Sequence, residues 1–167
     1  DGQFISMWGS YGSGDGKLWE PKGIAVTKTG KAYVADGVNT RIQIFTTDGE
    51  FITKWGPGNG DGDFIHANGV ETDANGNVYV LDWMLGRIQK FSPDGTYITQ
   101  WGTDVFGENV GSSCTGIAIN SNGYVYVTDN VNECVVKFDS NGRFITKWGT
   151  EGTGDGEFLL SWPNSPH

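Results

Sequence analysis

Short runs of apolar, β-branched and aromatic residues alternate along the chain with polar turns that contain glycine. In the first third of the chain the apolar runs cover residues 23–27, 32–36 and 41–45. Asn-Gly, Asp-Gly and Thr-Gly pairs separate many of these runs, and such pairs supply the positive φ that tight hairpins require. Because no stretch keeps a helical period, the pattern predicts short antiparallel strands joined by hairpins.

Four segments that end in Trp-Gly show that the chain is built from repeats. Their tryptophans are 47, 46 and 47 residues apart, at Trp8, Trp55, Trp101 and Trp148. Each period contains four strand-like runs, so one repeat encodes a four-stranded antiparallel sheet. Such a sheet buries its two faces by packing against its neighbours around an axis, and this period with all-β content is typical of a β-propeller.

The repeat boundaries divide the chain into three blades and two partial repeats. Residues 10–56, 57–102 and 103–149 are predicted to form the blades, residues 1–9 the outer strand of a preceding blade, and residues 150–167 the start of a fourth repeat. Propellers have about 4–8 blades, so three blades leave two open flanks of apolar surface. We expect the remaining blades to belong to the same, longer chain or to come from another copy of it.

A recurring set of motifs indicates the family that the chain resembles. The first repeat carries nearly all of them: Gly14-Asp15-Gly16, Pro21-Lys22-Gly23-Ile24-Ala25-Val26, Tyr33-Val34-Ala35-Asp36 and Asn39-Thr40-Arg41-Ile42-Gln43. This set resembles the NHL repeat, and the resemblance covers essentially the whole chain. It implies an all-β, six-bladed propeller that serves as a binding platform, in a family with a few enzymatic branches.

The charge balance excludes some partners. The chain has 11 basic and 20 acidic residues and a formal net charge of −9, with no basic cluster. Since neutralising phosphates requires Lys and Arg, we predict no nucleic-acid partner. An acidic surface also disfavours anionic membranes, and no run is apolar enough for a transmembrane helix, so we predict no membrane insertion.

The two cysteines, Cys114 and Cys134, fall at the same end of the third blade, although a whole strand lies between them in the predicted sheet. A disulfide between them is one expectation, and two buried thiols are the alternative. A disulfide would favour an oxidising compartment, so it would place the protein in an extracellular or periplasmic location.

Breaks in the repeat pattern are the candidate binding site, because a feature that recurs in every blade is explained by the fold. In the loop between the second and third strands, Trp83-Met84-Leu85-Gly86 replaces the Gly37-Val38-Asn39-Thr40 of the first repeat, so three large apolar residues stand in this loop. A carboxylate stands on the innermost strand where other repeats have alanine, and one internal histidine precedes that strand. The candidate ligand contacts are therefore Trp83, Met84, Leu85, Phe106, Glu71 and His66.

Two other features are assigned to the fold. The Gly-Asp-Gly runs lack the alternating ligands and terminal Glu of a calcium loop and are predicted to be turns, although Asp61 and Asp63 remain a candidate calcium pair. Trp19, Phe64 and Phe158 precede first strands at matching places and are predicted to pack between blades.

The loops between blades and the loops that join the second and third strands of a blade are predicted to share one face, which we call the ligand face. The leading hypothesis for function is a non-enzymatic binding scaffold that contacts a protein or a glycan through these ligand-face loops and uses no cofactor. One alternative is a piece of a six-bladed lyase or hydrolase resembling peptidylglycine α-amidating lyase, which would require inward-facing metal ligands. A second alternative is a structural unit whose open flanks assemble into a ring or a filament.

Overall fold

Three four-stranded antiparallel sheets dominate the computed structural model, which describes residues 2–57, 61–106 and 114–158. Residues 107–113 of a predicted ligand-face loop, and residues 159–167 of the predicted fourth repeat, lie outside this description. In each sheet the strands follow one another in chain order, as the hairpin pattern predicts. We call the sheets blades 1, 2 and 3.

The strands have the following bounds. Two short strands, β1 (Ser10–Tyr11) and β2 (Lys17–Leu18), pair in parallel ahead of blade 1. Blade 1 contains β3 (Pro21–Val26), β4 (Lys31–Asp36), β5 (Arg41–Thr46) and β6 (Phe51–Trp55). Blade 2 contains β7 (Ala67–Thr72), β8 (Val78–Asp82), β9 (Arg87–Phe91) and β10 (Tyr97–Trp101). After the short helix α1 (Thr103–Phe106), blade 3 contains β11 (Cys114–Ile119), β12 (Val125–Asp129), β13 (Cys134–Phe138) and β14 (Phe144–Trp148). Within the described ranges, no helix is long and apolar enough to cross a membrane.

The blades pack face to face through apolar side chains. One core joins blade 1 to blade 2 and includes Tyr33, Ile42, Val80 and Phe91, all nearly inaccessible to solvent. A second core joins blade 2 to blade 3, so both faces of blade 2 are buried. Successive side chains of a strand point to opposite faces, and in β8 both of these faces are buried. This explains why β8 is apolar at four of its five positions.

The Trp-Gly signature has a direct role in this packing. The ring of Trp55 lies over Gly95 in blade 2, and the ring of Trp101 lies over Gly142 in blade 3, so that a Cβ added at either glycine would come within 2.4 Å of the indole. Each glycine has φ near +90°, as its hairpin requires. The tryptophan that ends one repeat therefore packs on the last hairpin of the next.

Residues 2–9 differ from the prediction of an outer strand. The structure assigns no strand to them, and Phe4, Ile5 and Met7 are 81%, 92% and 86% exposed. A strand needs a neighbour to accept and donate its ladder hydrogen bonds, and none of the strands in the described part of the chain pairs with these residues. Trp8 nevertheless packs on Phe45, with ring centroids 4.8 Å apart, just as Trp55 and Trp101 each pack on the matching phenylalanine of the following blade.

A second set of apolar side chains packs where one repeat meets the next. Trp19, which was predicted to pack between blades, does not belong to this set. Phe64 lies against Gly56, and Leu18 lies against Gly9 in the same way, so Leu18 is the counterpart of Phe64. Trp19 is 40% exposed and meets only the edge of Tyr11 among the aromatic rings described. Leu18 and Phe64 each stand at the same distance after a Gly-Asp-Gly run, and this shared spacing is the sequence signal that identifies them as counterparts.

The predicted disulfide is not present, because both cysteines are buried thiols. Asp129 pairs with Cys114 on one side and with Cys134 on the other, so a complete strand separates the two sulfur-bearing residues. Two strand spacings amount to about 10 Å, well beyond the Cα separation that a disulfide spans. The extracellular or periplasmic location was inferred from that bridge and stays a prediction.

Candidate functional site

The innermost strands of the three blades start in the same register. The first residue of each innermost strand pairs with the aspartate that ends the second strand of the same blade. The next residue is Lys22 in blade 1, Asn68 in blade 2 and Thr115 in blade 3. These three polar side chains line one cleft of about 510 Å³ together with Glu20, His66 and Trp83. The cleft lies on the face formed by the interblade loops and the loops between second and third strands, which is the predicted ligand face.

His66 and Trp83 form the aromatic side of this cleft. Their ring centroids are 5.1 Å apart in an edge-to-face arrangement, and the Trp83 amide donates a hydrogen bond of 3.0 Å to the His66 carbonyl. A Cβ at Gly37, in the matching loop of blade 1, would come within 2.8 Å of the imidazole. The imidazole of His66 fits here because blade 1 has Gly37 at the position that Trp83 occupies in blade 2.

Glu20 and Lys22 supply the charged side of the cleft. The Lys22 Nζ lies 3.2 Å from a Glu20 carboxylate oxygen, and both side chains are substantially exposed. An exposed pair of this kind contributes little to stability, so both groups remain available to a ligand. Blades 2 and 3 add the amide of Asn68 and the hydroxyl of Thr115. The cleft can therefore form hydrogen bonds with polar groups of a ligand, while its aromatic rings contact apolar groups.

The other predicted contacts lie in different surroundings. Met84 is 40% exposed at the tip of the loop, and Leu85 is half-buried behind it. Phe106 is only 4% exposed and packs edge-on against Phe138, with centroids 5.8 Å apart. It also lies against Gly102 as Phe64 lies against Gly56, so Phe106 belongs to the core between blades.

Glu71 lies below the cleft, on the innermost strand of blade 2. It borders a space of about 410 Å³ that continues from the row of Lys22, Asn68 and Thr115, and a second space of about 550 Å³ near the opposite, hairpin face. One of its carboxylate oxygens accepts a hydrogen bond from the Thr72 amide at 2.8 Å. The structure thus brings His66 and Trp83 together in the cleft, whereas Glu71 lines the adjoining space.

A buried polar network holds the ligand-face loop of blade 1, and sequence reasoning identified it only in part. Asp36 accepts hydrogen bonds from the Trp19 amide (2.7 Å), Arg41 Nε (2.8 Å) and Gln43 Nε2 (2.9 Å). The glutamine also receives the Gly16 amide on its oxygen, at 3.0 Å. Arg41 donates to three carbonyls of the preceding loop, those of Ser13, Gly14 and Lys17.

Blade 2 repeats this network and blade 3 does not. Gln89 accepts the Gly62 amide at 2.9 Å, and Arg87 donates to the Asp63 carbonyl at 2.9 Å. Blade 3 has Cys134 and Val136 at the arginine and glutamine positions, and Asp129 instead accepts hydrogen bonds from the amides of the turn that follows it. Burial, followed by the nearby Asp129 carboxylate, raises the pKa of the Cys134 thiol. The recurrence of Arg-Ile-Gln in two repeats was the signal for the glutamines.

Donors of the protein itself contact both residues of the candidate calcium pair, at the carboxylate of Asp61 and at the main-chain carbonyl of Asp63. Asp61 accepts a hydrogen bond from Gln100 at 3.1 Å, and the carbonyl of Asp63 accepts from Arg87 and Gln89. An arginine in this position repels a cation. Across the described part of the chain, no group of three or more His, Cys, Asp or Glu side chains could hold a metal ion.

Comparison with known proteins identifies the family. A family model described as "6-bladed beta-propeller" (DUF5128) matches residues 15–126, which is more than half of the chain. The chain belongs to this six-bladed β-propeller family. The predicted all-β propeller fold and its NHL type are confirmed.

The propeller also matches short segments of longer relatives. It is 52% identical over 50 residues to Protein lin-41 of Caenorhabditis elegans, and 47% identical over 47 residues to E3 ubiquitin-protein ligase TRIM71 of Rattus norvegicus. These matches cover 30% and 28% of the chain but only 4% and 6% of the two relatives.

Solved structures share the propeller fold at low identity. A streptogramin B lyase superimposes with a TM-score of 0.63 at 17% identity, over 81% of the chain and 42% of the lyase. A virginiamycin B lyase from Staphylococcus aureus gives 0.63 at 18% identity, over 81% of the chain and 43% of that protein. A protein of unknown function from Bacteroides caccae gives 0.58 at 18% identity, over 81% and 47%. At such identities the likeness shows the fold alone. The chain spans less than half the length of these propellers.

Proposed function

We propose that the chain is a non-enzymatic binding module whose ligand-face cleft contacts a polypeptide. The observation that carries the proposal is that two breaks in the repeat pattern, His66 and Trp83, meet in one cleft at 5.1 Å, while the repeated residues hold loops in place. Large aromatic side chains dominate the energy of protein interfaces, so Trp83 is the expected centre of the contact.

The surroundings of the cleft support a polypeptide as the ligand. Met84 stands exposed next to Trp83, and methionine adapts its shape to varied apolar side chains. Asn68 and Thr115 can pair with the main-chain groups of an extended segment, and the Glu20–Lys22 pair can contact charges of either sign. The relatives add support, since in them the matched repeat is a small part of a much larger protein.

Selection from a random peptide display library on the immobilised chain tests the proposal. Dissociation constants of the selected peptides are then measured by fluorescence anisotropy for the wild type and for Trp83→Ala. Loss of a hot-spot aromatic costs about 2 kcal/mol or more, so we expect binding to weaken roughly thirtyfold. Val131→Ala is the matched control, because Val131 is 57% exposed in the equivalent loop of blade 3.

Three results would count against this function. Peptides that bind Trp83→Ala as tightly as the wild type would place the site elsewhere. Equal weakening by Val131→Ala would show a general effect of the loops. Binding to a glycan array, with no peptide selected, would replace the polypeptide by a carbohydrate. Circular dichroism of both variants establishes that each is folded.

A further inference from the structure

Glu20 gives the candidate cleft a carboxylate with unused capacity to accept hydrogen bonds. Its side chain is 57% exposed, and one carboxylate oxygen lies 3.2 Å from Lys22 Nζ. Among the residues that the structure describes, the other oxygen has no hydrogen-bond or ion-pair partner. A carboxylate has about four acceptor sites, so Glu20 can accept donors from a ligand while Lys22 stays in place.

The main chain of Glu20 adopts a conformation that the repeat does not require. Its φ is +50°, in the left-handed region that favours glycine. Glu20 and His66 are counterparts, because each stands directly before the innermost strand of its blade, and the φ of His66 is negative. Residues held in this way cluster at sites that clamp a ligand, where the surrounding structure maintains the strain.

The charged and aromatic sides of the cleft meet at Gly37. A Cβ added there would lie 2.8 Å from His66 Cε1, 3.2 Å from the Glu20 carbonyl oxygen and 3.3 Å from Lys22 Cγ. The indole of Trp83 lies 5.1 Å from the same imidazole. A carboxylate close to an indole suits a guanidinium, because this planar cation donates two parallel hydrogen bonds to a carboxylate and packs its face on an aromatic ring.

The charges around the cleft favour a cationic ligand over an anionic one. In the described part of the ligand-face loops, exposed carboxylates stand at Asp15, Glu20, Asp61 and Asp104, and the exposed cation is Lys17. The chain as a whole has a formal charge of −9. Such a field draws cations to a surface and repels anions. Of the four carboxylates, Glu20 is the one that lines the cleft.

We propose that the polypeptide bound in the cleft presents an arginine, whose guanidinium pairs with Glu20 and packs against Trp83. The inference rests on the proposed binding function and adds the side chain that the cleft selects. Lys22 opposes the incoming cation, so selectivity depends on the balance between Glu20 and Lys22. A lysine in the ligand binds less well, because its ammonium is more strongly hydrated and lacks the planar fork of donors.

Peptides selected on the immobilised wild-type chain test the inference, and we expect arginine to be enriched in them. Replacing that arginine with citrulline, which keeps the shape but not the charge, should weaken binding roughly tenfold, since hydrogen bonds to charged groups are the stronger ones. Glu20→Gln should weaken binding of the arginine peptide to a similar extent and make it insensitive to citrulline. Lys22→Gln should strengthen binding a few-fold.

Two further variants separate this contact from general effects. Asp104→Asn removes the same charge from an exposed position of the same face outside the cleft, and it should bind as the wild type does. Glu20→Gly removes the carboxylate and accepts the positive φ. It should therefore unfold at the same urea concentration as the wild type or at a higher one, yet bind the arginine peptide as weakly as Glu20→Gln.

The failures of this inference and of the proposed function are distinguishable. Selected peptides that depend on Trp83 but show no excess of arginine, or that bind Glu20→Gln as tightly as the wild type, would overturn the inference alone. Equal weakening by Asp104→Asn would do the same, because it would show an effect of net charge. A selection that yields no peptide, or peptides indifferent to Trp83→Ala, would overturn the proposed function and this inference with it.

Discussion

Replacing Arg41 with methionine tests whether the buried network of blade 1 stabilises the propeller. The side chains of Arg41 and Asp36 are 6% and 0% exposed, and Arg41 Nε lies 2.8 Å from the carboxylate. Methionine fills nearly the same length without the charge. The substitution therefore removes the cation that pairs with Asp36 and leaves the carboxylate buried beside two side-chain donors, Asn39 and Gln43.

The expected cost follows from the burial of that carboxylate. Removing one partner of a buried ion pair costs about 3–5 kcal/mol, because the other charge stays in a poorly solvated site. The carbonyls that Arg41 leaves belong to exposed loop residues and can pair with water, so they add little. For a chain of this length the cost corresponds to a fall in Tm of roughly 6–20 °C.

Lys54→Met is the matched control. Lys54 and Asp15 also form a close ion pair on this loop, but their side chains are 43% and 52% exposed. Such a pair contributes about 1 kcal/mol or less. Urea unfolding followed by tryptophan fluorescence gives the free energy of unfolding for both variants. If Arg41→Met and Lys54→Met lose the same small amount, the buried network does not stabilise the fold and our reasoning is wrong.

Three further predictions concern packing, thiols and pH. Gly142→Ala should lower the free energy of unfolding by at least about 2 kcal/mol, since its Cβ would lie 2.4 Å from Trp101. Gly123→Ala has a similar φ, and its Cβ would make only an ordinary contact with Ser140 at 3.6 Å, so it should cost about 1 kcal/mol. Titration with a thiol reagent in urea without reductant should detect two thiols per chain, and the native protein should react slowly because both cysteines are buried; detection of none in urea would restore the disulfide. Burial raises the pKa of Tyr79, so its contribution to stability is fully present below about pH 10 and is lost as the pH rises further. The Tyr79→Phe variant should therefore lose less stability than the wild type between pH 9 and pH 11, and parallel curves would contradict this assignment.

The repeat pattern predicted the blades because strand propensity, turn residues and tryptophan spacing agree within every repeat. Period and hairpin chemistry are local properties, so one sequence suffices to recognise them. The same pattern predicts an outer strand at residues 1–9, and the structure assigns no strand to residues 2–9. The sequence of this segment is that of a strand, as in Phe144–Trp148, but a strand also requires a neighbour, and the neighbour is not encoded in the segment itself.

The candidate site was predictable to the extent that it departs from the repeat. His66 and Trp83 stood out because other repeats have different residues at their positions, and the structure places them side by side. Phe106 stood out for the same reason, yet it fills a core position that Phe64 fills in another repeat. A departure from the repeat thus identifies a changed residue, and only packing decides whether the change faces solvent or the core.

Blade 3 shows how such changes are coupled. Its entry loop lacks the Gly-Asp-Gly run, and the same blade has Cys134 and Val136 in place of the arginine and glutamine that hold that run in the other blades. A buried arginine or glutamine without its loop carbonyls would leave unsatisfied donors, each costing about 1–3 kcal/mol or more. The loop and the side chains below it can therefore change only together. For this reason Cys134, which the sequence suggested as half of a disulfide, is better understood as an apolar replacement within a polar network whose Gly-Asp-Gly sequence this repeat lacks.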